Sequence, residues 1–299
     1  MKNILSSLKR KHIKSRTLKT ILNTEQKNNS VVNLHRIDKN NVGDFYCAPH
    51  LYFDVLKDKA LDIFDYKVDD RNVTNNFIEK ISNNSLIIGG GGLLNRSGFS
   101  KQMELFEKLT EKNKKIVLWG LGHNRKDHFT FNKKVDYNID ISKFGLVGTR
   151  DYSMPGEYVP CVSCMHSIFD NDYSSVQETG IIFHKDTLKK NNLLKRLENY
   201  PTSSNTTNLE EMVGFIGKSE TIVTDSYHAM YWSLLLNKKV IAIPNSSKFY
   251  DFKYKPVFSS FDTFEDDIKK GQSYSGILEE CREINHNFAE KAFNYLNLS

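Results

Sequence analysis

The sequence predicts an α/β protein made of two doubly wound domains that face each other across a cleft. In both halves of the 299-residue chain, short apolar runs alternate with longer segments whose apolar residues recur at helical spacing. This alternation is typical of parallel sheets covered by helices. Glycine-rich or polar loops follow several of the apolar runs, and ligands bind at the corresponding edge of such sheets. A polar, turn-rich stretch at 170–180 separates the two series of elements.

The chain divides into three predicted parts. Residues 1–25 are a basic N-terminal arm, 26–170 an N-terminal Rossmann-like domain, and 171–299 a C-terminal Rossmann-like domain that ends in a helix over 277–296. In the first domain the patterns predict strands at 31–34, 61–64, 85–88, 116–119 and 145–148, and helices at 45–56, 73–81 and 101–112. In the second they predict strands at 180–184, 221–223 and 240–243, helices at 187–199, 209–217 and 229–236, and a loop over 201–208.

The positive charge of the chain is concentrated at its start. The chain has 42 Lys and Arg against 36 Asp and Glu; residues 1–20 hold seven of the basic residues and no acid, so the rest carries 35 against 36. Apolar residues at helical spacing run through 1–22. This pattern predicts either a basic helix on an anionic membrane surface or a solvated terminal helix. Nucleic acid is not expected as a partner, because no second basic patch and no binding motif is present.

The sequence predicts neither a membrane span nor a secretory signal. No apolar run approaches the roughly 18 to 20 residues that a span needs. No apolar core follows the basic residues at the start of the chain. We therefore expect a cytoplasmic protein, free or attached to the inner face of the cell membrane.

The four cysteines of the chain raise the question of a metal. Cys161, Cys164 and His166 have spacing that invites a zinc interpretation. A closed zinc site needs four ligands, and Cys47 and Cys281 lack any paired spacing. We therefore expect thiols that pack near a domain junction, no disulfide framework and no metal.

The segment Glu220–Pro244 predicts a strand, a polar loop, a helix and a second strand. Its loop holds Asp225 and Ser226, either of which can cap the helix, and the free N–H groups of a first turn favour an anion. His228 lies in that first turn. A titratable side chain beside an anion site is suited to acid or base catalysis. A histidine that only packs under the loop is the structural alternative.

Three further loops follow apolar runs of the first domain. They are Gly89–Gly92 with Asn95, Gly120-Leu-Gly-His-Asn124 and Thr149-Arg-Asp151. Four consecutive glycines predict either a cradle for a phosphate or carboxylate or a tight turn. The spaced glycine fingerprint of dinucleotide enzymes is absent. Because the loops follow neighbouring parallel strands, they predict a crevice at one edge of the sheet.

Six motifs, in their order and spacing, resemble the polysaccharide pyruvyl transferase family. They are Asn41-Val-Gly-Asp44, Gly89 to Gly92 with Asn95, Trp119-Gly-Leu-Gly-His-Asn124, Gly148-Thr-Arg-Asp151, Val159-Pro-Cys-Val-Ser-Cys164 and Thr224-Asp-Ser-Tyr-His228. The resemblance implies a fold similar to two-domain, GT-B-like glycosyltransferases. It also implies that pyruvate passes from phosphoenolpyruvate, without a cofactor, to two hydroxyls of a sugar in a surface polysaccharide or its lipid-linked precursor. The chain departs from members with Arg-Leu-His in the last motif, because it has Ser226-Tyr227-His228.

The chemistry that the resemblance implies gives roles to individual residues. His228, with a pKa near neutrality, is the expected acid that protonates the enol carbon, and Asp44 or Asp151 is the expected base. Arg150 and Lys248 are expected to bind the carboxylate and phosphate of the donor. The other predicted substrate-binding residues are Gly90, Gly91, Gly92, Asn95, Gly122, Asn124 and Ser226. The structural alternatives are a salt bridge between Arg150 and Asp151 and a surface position for Lys248.

Two other functions fit a two-domain protein of this shape. A nucleotide-sugar glycosyltransferase would need an acidic or aromatic uridine pocket and a glutamate that binds the ribose. No clear glutamate of that kind follows the helix that contains His228. A non-catalytic scaffold of a membrane assembly is favoured by the loss of the arginine from the last motif. Phosphoenolpyruvate and nucleotide sugars, tested separately on the purified protein, distinguish the three functions.

Overall fold

Two parallel sheets with alternating helices make up the fold, which confirms the predicted α/β class. The computed structural model describes residues 2–126 and 135–298. The first sheet has six strands in the order β2-β1-β3-β4-β5-β6, and the second has five in the order β11-β10-β9-β7-β8. The strands pair in parallel throughout the described sheets.

The strands and helices have the following bounds. The strands of the first sheet are β1 Val31–His35, β2 Ala60–Asp62, β3 Ser85–Leu94, β4 Ile116–His123, β5 Leu146–Thr149 and β6 Glu157–Tyr158. Those of the second sheet are β7 Gln177–Phe183, β8 Thr202–Ser204, β9 Ser219–Thr224, β10 Lys239–Ala242 and β11 Val257–Phe258. The helices are α1 Lys2–Asn23, α2 Val42–Phe45, α3 Arg71–Asn83, α4 Ser100–Thr110, α5 Asn191–Arg196, α6 Leu209–Gly217, α7 Tyr227–Leu235, α8 Phe264–Asp267 and α9 Ile277–Leu296.

The first sheet is covered by helices on both faces. Successive side chains of a strand point to opposite faces, and each face of the sheet carries an apolar core. Val32 and Leu34 belong to a core shared with α1, α3 and α4. Val31 belongs to a second core, shared with α9, on the other face. A strand buried on both sides needs this nearly continuous apolar run.

Helix α1 is a packed part of the first sheet's core. Ile13 and Ile21 are buried, and Leu18 packs against the same core. In residues 9–23, the apolar side chains that a helix lying in lipid would insert pack against the protein itself. The exposed side chains of this part are basic or polar. The side chains of residues 1–8 lie outside the described part of the chain. Among the described helices, none has both the length and the apolar character that crossing a membrane requires.

Helix α7 lies at the centre of the second half. Each of its nine residues is buried, between α6, β9 and β10. Tyr231 donates a hydrogen bond to the carbonyl of Cys161 at 2.8 Å, and Trp232 donates from its ring nitrogen to Ser163 Oγ at 2.9 Å. These bonds connect the helix to the segment that follows the first sheet.

Helix α9 joins the two halves. Its first turns contact α7 and the short helical turn at Val162–Met165. Its last turns cover the first sheet, where the rings of Phe288 and Trp119 meet edge to face at 5.2 Å. Between them, Asn285 Oδ1 accepts a hydrogen bond from the ring N–H of Trp119 at 3.0 Å. The helix predicted over 277–296 is present, and it packs on elements of both halves.

Several predicted elements are wrong in extent. The predicted helix at 45–56 is a short helix followed by two single 3₁₀ turns, because Pro49 cannot continue the hydrogen bonds of an α-helix. The predicted helix at 187–199 is likewise divided, into a 3₁₀ turn at Thr187–Lys189 and α5. The predicted loop at 201–208 contains β8, a three-residue strand without an apolar pattern.

The four glycines after 85–88 do not form the predicted loop or turn, because β3 continues through them to Leu94. A Cβ on Gly89 would lie 2.3 Å from the carbonyl oxygen of Trp119, and one on Gly90 would lie 2.4 Å from that of Cys47. Gly89 and Gly90 are therefore required by the close approach of the protein's own backbone. In the same way, β4 extends through Gly120-Leu-Gly to His123.

Candidate active site

A cleft of about 270 Å³ lies where the loops of the two halves meet. Loops at the carboxyl ends of β1, β3, β4 and β5 line it from the first half, and loops after β7, β9 and β10 line it from the second. Of the predicted site residues, the lining includes Asp44, Gly90, Gly91, Gly92, Asn124, Arg150, His228 and Lys248. Parallel strands end at one edge of their sheet, so the topology brings these separate motifs together.

The lining of the cleft is rich in positive charge. Six of its residues are basic, namely Arg36, Arg96, Lys126, Arg150, Lys185 and Lys248. Three are acidic, namely Asp38, Asp44 and Asp186. Asp38 already accepts a hydrogen bond from Lys185 at 3.1 Å. The excess of cations suits an anionic ligand.

Arg150 is the buried cation of this cleft, with 2% of its surface exposed. Its Cζ lies 4.1 Å from the ring centre of Tyr227, which supports the guanidinium from one side. Its Nε and Nη1 have no hydrogen-bond partner among the described residues. Buried N–H groups without a partner cost stability, and those of a charged group cost more. An anion in the cleft would supply the missing acceptors.

Glycines provide the space that Arg150 occupies. A Cβ on Gly122 would lie 2.6 Å from Arg150 Nε, and one on Gly92 would lie 3.1 Å from Nη2. Gly122 therefore packs against the arginine and is absent from the lining of the cleft. The predicted role of Gly122 in direct substrate contact is replaced by this packing role.

His228 is buried directly beneath α2. A Cβ on Gly43 would lie 2.0 Å from His228 Nδ1, so only glycine leaves room for the ring. The other ring nitrogen, Nε2, is 3.7 Å from Cys161 Sγ. Burial, helped by the positive charges of Arg150 and Lys248, holds the pKa of His228 well below its usual value. The predicted near-neutral pKa is therefore wrong for the ligand-free cleft, where the ring is neutral.

Lys248 follows β10 and faces the same aromatic ring as Arg150. Its Nζ lies 5.8 Å from the ring centre of Tyr227. Burial and the nearby charge of Arg150 lower the pKa of Lys248 to about 7. It is a half-buried residue that lines the cleft, so the structural alternative of a surface lysine is excluded.

Asp44 lies on α2, next to the glycine that contacts His228. Its Oδ2 accepts a hydrogen bond from Asn41 at 2.9 Å, and its side chain lines the cleft. Asp151 is placed differently, behind Arg150. Its Oδ2 accepts hydrogen bonds from the backbone N–H of His123 at 2.7 Å and from the Tyr137 hydroxyl at 2.9 Å. Of the two predicted bases, only Asp44 faces the cleft.

Two other predicted residues do not line the cleft. Asn95 has a positive φ of 58° and donates its side-chain amide to the carbonyl of Asp136 at 2.6 Å. Ser226 is buried at the N-cap of α7, where its side chain makes no capping hydrogen bond. The predicted alternative cap, Asp225, instead accepts hydrogen bonds from the His184 N–H at 2.6 Å and the Thr187 hydroxyl at 2.6 Å.

Sequence patterns missed several residues that line the cleft. Tyr227 lies beneath both Arg150 and Lys248, and the one signal for it was the departure from Arg-Leu-His at this position. Arg36, Arg96, Lys126 and Lys185 gave no motif, because they come from different elements and meet only in the folded chain.

The four cysteines are buried and free, in agreement with packing thiols. Burial raises the pKa of Cys161 and of Cys164, and among the described residues their sulfurs form no three-ligand cluster with His166. His166 is turned to the backbone, where its Nδ1 accepts a hydrogen bond from the N–H of Ile168 at 3.0 Å. These three residues do not form the partial zinc site that their spacing suggested.

Comparison with known proteins gives a family match in the second half of the chain. The family model described as polysaccharide pyruvyl transferase matches residues 166–247. The resemblance inferred from motifs is confirmed over that range, which contains His228 and ends one residue before Lys248. The match supports a transferase that modifies polysaccharides. No curated protein matches the chain.

Two solved structures are similar to this chain at low scores. One is an alpha-glucosyltransferase in complex with UDP and a 13-mer DNA, with 9% identity, coverage of 91% of this chain and 96% of that chain, and a TM-score of 0.42. The other is a variant of the wall teichoic acid polymerase TagF with CDPG, with 10% identity, coverage of 98% and 95%, and a TM-score of 0.41.

Proposed function

We propose that this protein transfers pyruvate from phosphoenolpyruvate to two hydroxyls of a sugar in a surface polysaccharide or its lipid-linked precursor. The observation that supports it best is the pair of unpartnered N–H donors on buried Arg150. A guanidinium donates charge-assisted hydrogen bonds to carboxylates and phosphates. Phosphoenolpyruvate carries one of each, and the surrounding cations suit both.

The proposed donor position lies over Tyr227, between Arg150 and Lys248. Arg150 binds one anionic group of the donor through its free donors, and Lys248 binds the other as a mobile point charge. In members of the family with Arg-Leu-His in the last motif, the arginine is a candidate donor-binding cation. The chain has Ser226 at that position, and we assign the missing charge to Lys248.

The proposed reaction balances without a cofactor. A proton adds to the methylene carbon of the donor, and the neighbouring carbon becomes an oxocarbenium-like centre. One sugar hydroxyl attacks this centre and gives up its proton, the phosphate leaves with its bridging oxygen, and the second hydroxyl closes the ketal and gives up its own proton. One of the two hydroxyl protons replaces the proton that was added to the methylene carbon, and the other leaves with the phosphate.

His228 is the proposed proton donor, and Asp44 is the proposed acceptor of a hydroxyl proton. The imidazole is neutral in the ligand-free cleft. A bound polyanion offsets the charges of Arg150 and Lys248 that lower its pKa, so the donor itself promotes protonation of the ring. Asp44 is adjacent in sequence to Gly43, which touches His228, so acid and base lie on facing helices.

The exposed face of α1 is the proposed membrane contact. Lys11, Arg16 and Lys19 are exposed on it. Clustered basic residues bind anionic headgroups at about 1 kcal/mol per charge. The acceptor would then be a lipid-linked sugar at the inner face of the cell membrane.

Thermal unfolding in the presence of each candidate donor tests the proposal. A ligand that binds only the native state raises the free energy of unfolding by about 2.7 kcal/mol at a hundredfold excess over Kd. We expect phosphoenolpyruvate to raise the melting temperature and nucleotide sugars to leave it unchanged. Stabilisation by a nucleotide sugar alone would favour a glycosyltransferase, and no response to either would favour the scaffold.

A further inference from the structure

A second cluster of polar side chains lies behind Arg150, outside the cleft. It consists of His123 at the end of β4, Asp151 after β5 and Asp251 in the segment after β10. All three are buried, with 3%, 2% and 9% of their surface exposed. His123 Nε2 lies 3.9 Å from Asp151 Oδ1 and 3.7 Å from Asp251 Oδ2. The three atoms lie within 4.8 Å of one another.

The remaining polar atoms of these side chains are held by neighbours. His123 Nδ1 is 2.6 Å from Ser247 Oγ. Asp151 Oδ2 accepts from the His123 N–H and the Tyr137 hydroxyl. Asp251 Oδ1 accepts from the backbone N–H of Ser153 at 2.9 Å. Neighbours that fix the second atom of each ligand are characteristic of metal centres, because they orient the first atom toward the ion.

The separations suit a shared ion better than direct hydrogen bonds. An N–H to oxygen hydrogen bond has a donor–acceptor distance of about 2.7–3.2 Å, and both separations from Nε2 exceed it. Two ligands at about 2.0–2.2 Å from one ion are separated by up to roughly 4 Å. One imidazole and two carboxylates also suit first-row divalent cations. We propose that His123, Asp151 and Asp251 bind one divalent first-row cation.

The cation would link three loops that shape the cleft. Asp151 adjoins Arg150 in the chain, and Ser247, which orients His123, adjoins Lys248. Arg150 and Lys248 come from different sheets, so a shared ion fixes the distance between them. This role departs from the sequence-based expectation of no metal, which considered only cysteine spacing. The competing arrangement is a metal-free His123 imidazolium between the two carboxylates.

Manganese binding to the full chain tests the site. Mn²⁺ is the probe, because carboxylate and imidazole ligands suit it and its bound form gives a spectroscopic signal. After dialysis against a chelator, we expect saturable binding of one Mn²⁺ per chain and a higher melting temperature. Asp251→Asn should weaken the affinity at least tenfold. Asp186→Asn is the matched control, because it removes the carboxylate from the exposed His184–Asp186 pair and should leave Mn²⁺ binding unchanged.

A spectroscopic measurement on the unaltered chain covers the case in which the Asp251 variant fails to fold. The bound Mn²⁺ should show the electron spin-echo modulation of one coordinated imidazole nitrogen, and His123→Gln should remove it. Three results each overturn the proposal: no stoichiometric Mn²⁺ binding, binding that Asp251→Asn leaves unchanged, or bound Mn²⁺ without nitrogen coupling. None of these readouts uses phosphoenolpyruvate, so they are independent of the proposed transferase activity.

Discussion

Arg150 is held in a state that favours ligand binding. It is buried, whereas the other five cations of the cleft are half-buried or exposed. The tyrosine ring beneath it and the glycines beside it leave its Nε and Nη1 directed at no described acceptor. In the free protein these buried donors have no acceptor, which costs free energy. A bound anion would supply the acceptors, and recovery of that cost would contribute to the free energy of binding.

His228 and Arg150 should differ in how their loss affects the reaction. We expect His228→Gln to lower kcat by about 10² to 10⁴-fold, the usual effect of losing a general acid, with little change in donor affinity. Arg150→Ala should also raise KM for phosphoenolpyruvate, because it removes contacts that already exist in the bound ground state. Release of phosphate with a sugar acceptor measures both constants.

Two controls complete this comparison. Arg150→Lys keeps the charge but loses the planar set of N–H donors, and it should lie between the wild type and the alanine variant. Melting temperatures of all variants separate misfolding from lost chemistry. If His228→Gln keeps its kcat, the histidine is a packing residue and the proposed acid is wrong.

Lys248 should make donor binding depend on pH. Its pKa of about 7 in the free protein means that the charged form is lost as the pH rises through 7. Between pH 7 and 9 the donor phosphate is already ionised, so the apparent Kd for phosphoenolpyruvate should rise by up to tenfold per pH unit. Lys248→Arg stays charged, so its Kd should rise less steeply over the same range. Equal slopes for the two proteins would show that another group titrates.

The residues of the cleft were predictable where a motif coincides with the carboxyl end of a strand. Arg150, His228 and Asn124 all follow strands that the apolar runs revealed, and the structure brings them together. Asp151 was misplaced, because adjacent residues of an extended segment point in opposite directions. Arg36 and Arg96 could not be found from sequence, because their only connection to the other cations is proximity in the folded chain.

At the scale of elements, α1 packs one face on the first sheet and exposes basic side chains elsewhere. Its buried face contributes Ile21 to the core of the first sheet, with Leu18 and Leu22 packed against it, so the helix is needed for stability. Its basic face is separate from that packing, and its charges can be changed without disturbing the core. Lys9 forms one ion pair with Asp69 at 2.6 Å, and such exposed pairs contribute little.

Charge reversal on α1 should weaken membrane binding without unfolding the protein. Changing the exposed residues Arg10, Lys11, Arg16 and Lys19 to glutamate should reduce binding to anionic vesicles, and added salt should reduce wild-type binding in the same way. The control reverses four exposed lysines of the second half, Lys189, Lys195, Lys218 and Lys269, and so has the same net charge. Vesicle sedimentation measures both. An equal loss in the two variants would mean that total charge, and not α1, controls binding.

Element types were predictable from apolar period, but their ends depended on neighbours. The helices at 209–217 and 277–296 have the predicted bounds, because each shows an uninterrupted apolar stripe. The glycine runs were assigned to loops, since glycine is unfavourable within strands. In the structure they continue β3 and β4, where neighbouring backbone (at Gly89 and Gly90) or the Arg150 side chain (at Gly92 and Gly122) is too close for a Cβ. A local pattern contains no information about those distances.

At the scale of the whole molecule, α9 joins the two halves of the protein by packing against elements of both. Its start packs beside α7 and its end closes the face of the first sheet opposite α1. Trp119 connects the two regions, since its ring meets Phe288 and its N–H is bonded to Asn285. The predicted boundary between the halves, at residues 170 and 171, therefore separates the two sheets in the chain, while α9 packs across both.

Loss of the Phe288 ring should destabilise the whole protein. Phe288 is fully buried against the first sheet, and removing such a ring costs about 3–5 kcal/mol. Urea unfolding of Phe288→Ala should show this loss as a lower midpoint. Lys291 lies on the same helix and forms an exposed ion pair with Glu157 of β6. Lys291→Ala should therefore change stability by at most about 1 kcal/mol. Similar midpoints for the two variants would mean that α9 is not required to hold the sheets together.

The position of α9 also affects how the chain folds as it leaves the ribosome. All six strands of the first sheet are synthesised before residue 159, whereas the helix that covers one of their faces begins at residue 277. Until translation reaches that helix, Val31, Ile87, Val117 and Trp119 are covered on this face only in part, by Phe53, Val55 and Leu56. The nascent first half therefore exposes an apolar surface while more than a hundred residues are added. Such a surface is a natural binding site for a ribosome-associated chaperone.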